Sequence, residues 1–193
     1  MLPDRPVLVC AECGHEQEFL RLPMFALTGP SGTGKSTVGR LLRAELGERV
    51  VVVEQDVLWA GGLRDPEDDY GAFRSTWLTM VGMLHQSGRP VMLCGTVVPI
   101  QLERRPERAF VGDIHYLALT CKADVLAERL RTRPAWREWD EPRIAETLEF
   151  NDWLVANAAT LEPPVTLLDT TIRELSDTAR EVAEWVRTGL DEQ

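Results

Sequence analysis

Gly29-Pro30-Ser31-Gly32-Thr33-Gly34-Lys35-Ser36-Thr37 is the stretch on which the fold of this 193-residue chain turns. A short apolar run, Met24 to Thr28, leads into it, and Thr37 to Leu46 follows with Val38, Leu41, Leu42 and Leu46 at helical spacing. The order is strand, glycine loop, helix. Gly29, four residues, then Gly34-Lys35-Ser36 is the full phosphate-loop spacing. Glycines let the backbone curl so that successive amide hydrogens point inward at phosphates, where a side chain would collide. Lys35 adds a point charge near the β and γ phosphates, the Ser36 hydroxyl is a magnesium ligand, and the following helix presents its positive end. The expected nucleotide contacts are therefore Gly29, Ser31, Gly32, Thr33, Gly34, Lys35, Ser36 and Thr37, with ATP and Mg2+ as the ligands.

Beyond the loop, apolar runs and turn signals alternate. Gly47 is placed to end the first helix in a left-handed cap, and Val50 to Val53 form a β-branched run that reads as a buried second strand. Leu63 to Tyr70 is an acidic loop broken by Pro66, Tyr70 to Gln86 a helix closed by Ser87-Gly88, and Val91 to Cys94 the third strand. Gly95 to Phe110 reads as a mobile connection with a short helix. Ile114 to Thr120 and Val165 to Asp169 complete five strands, with helices over Asp124 to Arg133, Ile144 to Asn157 and Leu175 to Val186. Short buried strands separated by helices imply a parallel sheet covered on both faces. One domain is expected over residues 23–193, preceded by a small appendage over residues 1–22.

Thirty-one acidic against twenty-one basic residues give a net charge of -10, which repels polynucleotides and anionic membrane surfaces but not a small ligand held by a local cluster. No apolar run of membrane-spanning length occurs, and the N-terminus lacks the layout of a signal peptide, so a cytoplasmic protein is expected. In that compartment the four cysteines are expected as reduced thiols.

Residues 24 to about 188 resemble the small P-loop kinases related to nucleoside monophosphate, shikimate and gluconate kinases, and in particular bacterial proteins labelled nucleoside kinases or chloramphenicol-phosphotransferase-like proteins. The resemblance is carried by the loop, by Glu54-Gln55-Asp56 ending strand two, and by Arg129-Leu130-Arg131-Thr132-Arg133-Pro134-Ala135-Trp136-Arg137. It implies a three-layer P-loop sandwich with strand order 2-3-1-4-5, a lid over residues 129–142, and transfer of the γ-phosphoryl group of ATP to a small-molecule hydroxyl. In that frame Lys35 and Asp56 are catalytic, Asp56 taking the hydroxyl proton or orienting a magnesium-bound water. Arg129, Arg133 and Arg137 close over the transferring group, and Asp169 and Thr170 belong to the adenine-side loop. Arg129 and Arg133 are one turn apart on the expected helix and so face one side. One departure stands out: monophosphate kinases usually end strand three in Asp-Gly, whereas this chain has Leu93-Cys94-Gly95-Thr96, leaving Asp56 or Glu54 to serve the metal. A monophosphate kinase and an ATP-hydrolysing switch or binding protein are the rival readings.

The acceptor pocket is expected between the helix Tyr70–Gln86 and the connection Gly95–Phe110, with Trp59, Arg74, Trp77 and Thr96 as lining residues, Gln86 as a further candidate, and Arg104 and Arg105 mainly on the surface. A neutral hydroxyl acceptor is favoured, and monomer and homodimer both stay open. Cys10-Ala11-Glu12-Cys13-Gly14-His15 looks like one knuckle of a zinc ribbon. A closed site needs four ligands and no second knuckle follows, so a metal-free, vestigial or flexible appendage is the expected state, with His15 or a second chain as the means of completing a zinc site at Cys10 and Cys13.

Overall fold

The computed structural model describes residues 6–63 and 65–191. Residues 1–5, 64 and 192–193, which fall within the expected appendage, acidic loop and domain end, lie outside the described residues.

Five parallel strands form the central sheet: β3 (Met24–Thr28), β4 (Val51–Glu54), β5 (Val91–Cys94), β6 (Ile114–Thr120) and β7 (Val165–Asp169), in the order β4-β5-β3-β6-β7. Counted within this sheet the order is 2-3-1-4-5, as the family resemblance implies. All residues of β3 and β5 are buried, which explains why these runs are apolar without alternation.

Their two faces feed different cores. Met24 and Ala26 turn toward α3 (Gly71–His85), with Phe73, Trp77, Leu78 and Val81, and toward Leu154 of α6 (Glu141–Asn157). Phe25 and Leu27 turn toward Val38, Leu42 and Leu46 of α1 (Lys35–Leu46) and Ala179, Val182 and Val186 of α7 (Leu175–Asp191). A third cluster joins Leu126 and Leu130 of α5 (Ala123–Arg131) to Ile144 of α6. The architecture is a three-layer sandwich. Among the described residues no helix is long and apolar enough to cross a membrane.

Several boundaries differ from the sequence reading. Gly47 caps α1 in the right-handed region at φ -58, and its need for glycine is steric, since a Cβ would collide with the Arg43 carbonyl. Gly95 to Phe110 is packed: α4 (Pro99–Glu103) buries Leu102, a 3-10 turn spans Pro106–Phe110, and Arg108 Nε donates to Glu103 Oε2 at 2.6 Å. A short helix α2 (Asp56–Ala60) follows β4 directly, which the sequence reading lacks. The appendage contains a hairpin, β1 (Val7–Val9) against β2 (Glu16–Glu18), with Val7 fully buried.

Candidate active site

β3 ends buried in the sheet and hands the chain to a loop whose Gly29, Gly32 and Gly34 all take positive φ, 121, 93 and 100. That curvature aims the loop at the N-terminus of α1, a ready-made anion site. Lys35 is folded over the loop: its Nζ donates to the Gly29 carbonyl at 2.6 Å and the Pro30 carbonyl at 2.9 Å. Burial pushes the Lys35 ammonium down to about 8, while the carboxylates of Asp56 and Glu54 pull the other way. Ser36 Oγ donates to Glu54 Oε1 at 3.2 Å. Glu54 is held above its ordinary value, first by burial and then by the charge of Asp56.

Around this loop lies a cavity of about 210 Å³, lined by Ser31, Gly32, Gly34, Lys35, Ser36 and Thr37 together with Glu54, Asp56, Gly95, Thr96, Arg133 and Arg137. A larger cleft of about 470 Å³ adjoins it, lined by Gln55, Trp59, Tyr70, Phe73, Arg74, Gln101, Trp139, Arg143 and Phe150 among others. Ser31, Asp56, Thr96, Arg133 and Arg137 line both. Asp56 reaches this boundary because it opens α2 immediately beyond the carboxyl end of β4.

The arginine segment is built by the breakdown of α5. The helix stops at Arg131, Pro134 redirects the chain into a 3-10 turn, Ala135–Arg137, and Asp140 caps α6 by accepting the Arg143 backbone N–H at 3.0 Å. Arg143 Nη1 then donates to the carbonyls of Arg137 and Glu138, at 3.0 and 3.2 Å, and pins the loop. The guanidinium of Arg143 lies 4.3 Å and that of Arg133 5.5 Å from the Trp139 ring centre, while Arg137 sits 4.5 Å over Trp136. Burial, and then repulsion from Arg137 and Arg143, lower the Arg133 pKa.

Other expected site residues sit elsewhere. Arg129 and Arg133 do not share a helical face, because α5 ends between them. Arg129 instead donates to the Thr170 hydroxyl at 3.2 Å and to the Thr170 and Thr171 carbonyls at 2.8 and 3.3 Å. Thr170 is buried, its hydroxyl donating to the Thr120 carbonyl at 2.9 Å, and Asp169 accepts from the Thr171 backbone N–H at 2.8 Å. Trp77 is a core residue, 2% exposed, because its helical position faces the sheet. Gln86 binds Leu20 of the appendage through both ends of its amide. Thr33 is buried and its hydroxyl closes the loop onto the Pro30 carbonyl. Arg104 and Arg105 line neither cavity.

Sequence reasoning missed Gln55, Tyr70, Phe73, Trp139, Arg143 and Phe150. Tyr70 stands four residues before Arg74 and Phe150 seven after Arg143, so for these two helical spacing from an arginine was the available signal, and Phe73, adjacent to Arg74, had none of that kind. Gly95 has a steric need for glycine: a Cβ there would collide with the Gln55 side chain, whose buried Oε1 has no hydrogen-bond partner among the described residues.

The family model described as an AAA domain, AAA_18, matches residues 26–149. The chain is 29% identical over 133 residues to the shikimate kinase of Chromohalobacter salexigens, covering 66% of this chain and 73% of that protein. It is 29% identical over 139 residues to the shikimate kinase of Pseudomonas syringae pv. tomato, covering 69% and 81%. A solved structure of a gluconokinase from Sinorhizobium meliloti 1021 superposes with a TM-score of 0.56 at 20% identity, covering 92% of this chain and 99% of that one, which is a likeness of fold.

Proposed function

The chain belongs to the AAA domain family AAA_18, and from that membership we propose that it is an ATP-dependent phosphotransferase acting on a hydroxyl of a small molecule. The observation that carries the reading is the position of Asp56, in the wall of both the phosphate-loop cavity and the adjoining cleft. A carboxylate at that boundary can take the proton of an acceptor hydroxyl while it attacks the γ-phosphorus. The similarity to two shikimate kinases supports an alcohol as the acceptor.

Lys35 and the loop amides would cradle the β and γ phosphates of ATP. The donor set beside them fits Mg2+: the Ser36 hydroxyl and the carboxylates of Glu54 and Asp56 are hard oxygen ligands that line the same cavity. When bound, the metal neutralises charge on the phosphate oxygens. Arg133 and Arg137 face both cavities and would stabilise charge on the transferring group. Residues 129–142 would act as the lid, excluding water so that the hydroxyl is phosphorylated and ATP is not hydrolysed.

The larger cleft supports a narrower acceptor class. Its aromatic walls, Trp59, Tyr70, Phe73 and Phe150, suit a ring or flat face, and Arg74 and Arg143 suit an anionic group on it. A hydroxylated ring acid fits better than the neutral alcohol favoured by the sequence. Asp56→Asn tests the reading: nucleotide affinity stays as it is, and acceptor-dependent turnover falls by roughly 10²–10⁴. Full turnover in that variant would remove Asp56 as the base.

A further inference from the structure

The segment the phosphotransferase does not use is the hairpin β1–β2, whose turn carries Cys10-Ala11-Glu12-Cys13-Gly14-His15. Its geometry is specific. Cys10 N donates to the His15 carbonyl and Gly14 N to the Cys10 carbonyl, both at 2.9 Å, and Gly14 turns the chain at φ 69. The backbone N–H groups of Cys13 and Glu12 and the Cys13 thiol all face the Cys10 sulfur. Two thiols three residues apart on such a turn converge, and amide hydrogens aimed at sulfur are what a metal-bound thiolate uses to spread its charge.

The hairpin is anchored. Val7 is fully buried, Gln86 of the α3 C-cap grips both backbone groups of Leu20 at 3.0 and 3.1 Å, and Phe19 packs edge-on against Phe110. The turn itself projects outward: Cys10 and Cys13 are exposed, as are Leu8 and Val9 on the strand that leads into it. Cys94 and Cys121 are buried, and among the described residues no three His, Cys, Asp or Glu side chains converge on a metal position. Within one chain the knuckle therefore offers two ligands where tetrahedral zinc takes four.

We propose that the hairpin is half of a structural zinc site completed by the same hairpin of a second copy of the chain, Cys10 and Cys13 of each copy together binding one Zn2+. An identical knuckle related by a two-fold axis supplies the two missing thiolates, and the exposed Leu8 and Val9 provide apolar surface for the two tips to cover. On binding, four thiols lose four protons to solvent and four Zn–S bonds form, with no change of oxidation state.

The test uses the full chain, purified without a polyhistidine tag under reducing conditions. Bound zinc is measured by elemental analysis and molar mass by light scattering, before and after chelation, and the apoprotein is refilled with Co2+. The expected result is one zinc per two chains in a dimer, a chelator-induced shift to monomer, and the intense visible bands of tetrahedral cobalt bound by four thiolates. Cys10→Ser and Cys13→Ser should each give a zinc-free monomer whose ATP binding is unchanged, since both positions are exposed and remote from the phosphate loop. One zinc per single chain, a monomer without zinc, a Cys10–Cys13 disulfide, or a dimer indifferent to metal and to both substitutions would overturn the proposal.

Discussion

Ser36 Oγ donates a hydrogen bond to Glu54 Oε1 at 3.2 Å, joining the first turn of α1 to the last residue of β4. The contact places a carboxylate at the proposed metal position from the strand next but one to β3, in a chain whose neighbouring strand β5 ends in Cys94-Gly95 with no acidic residue. Glu54→Gln should raise the magnesium concentration needed for half-maximal activity by roughly tenfold with the circular dichroism spectrum unchanged. An unaltered magnesium dependence would exclude Glu54 from the metal shell.

Arg137 and Arg129 should separate into two roles. Arg137 faces both cavities, so Arg137→Ala should lower kcat by roughly 10² and leave stability nearly intact. Arg129 ties α5 to Thr170 and Thr171, so Arg129→Ala should lower the free energy of unfolding by about 1–3 kcal/mol with a smaller effect on kcat. Steady-state kinetics beside urea denaturation distinguishes the two. Equal catalytic losses would return Arg129 to the transferring group.

Two tryptophans divide in the same way. Trp77 is buried between α3 and the sheet, and Trp77→Ala should destabilise the fold by about 3–5 kcal/mol. Trp59 lines the larger cleft beside Tyr70, their ring centres 5.1 Å apart, so Trp59→Ala should act mainly on the acceptor KM. Acceptor saturation curves and thermal melts of both variants check the division.

Stability should fall in mild acid for a reason far from the active site. Burial pushes His85, fully enclosed at the end of α3, down to about 4, against a smaller opposing pull from the Pro23 backbone. The unfolded chain binds that proton below its ordinary value of 6.5 and the folded protein does not, so the free energy of unfolding is flat above that value and drops as pH falls toward 4. The loss should approach about 3 kcal/mol in urea titrations, and His85→Gln should flatten the slope. An equal slope in the variant would assign it to other groups.

The phosphate loop, all five strands and their parallel arrangement were legible because each rests on local signals: glycine spacing for the loop and short apolar runs between breakers for the strands. Asp56, Arg133, Arg137, Trp59, Arg74 and Thr96, expected from the sequence because they follow or flank those elements at fixed offsets, all line one or both cavities. What failed was side-chain direction. Trp77, three residues after Arg74 on α3, points to the sheet while Arg74 lines the cleft, and Arg129 and Arg133 part company because α5 unwinds at Arg131. Both outcomes depend on where a helix lies or ends in space, and neither is written in spacing alone. The packed state of Gly95 to Phe110 was missed for a similar reason: its charged residues hide Leu102 and an internal ion pair between Arg108 and Glu103.

The most direct test is incubation of the purified chain with magnesium-ATP against a panel of hydroxylated ring acids, sugars, sugar acids, nucleosides, nucleoside monophosphates and hydroxylated antibiotics, with products weighed by mass spectrometry. The account predicts a product heavier by one phosphoryl group on a hydroxyl of a small anionic ring compound, formed only with Lys35 and Asp56 intact. Phosphorylation of monophosphates alone, or ATP hydrolysis indifferent to every acceptor, would contradict it.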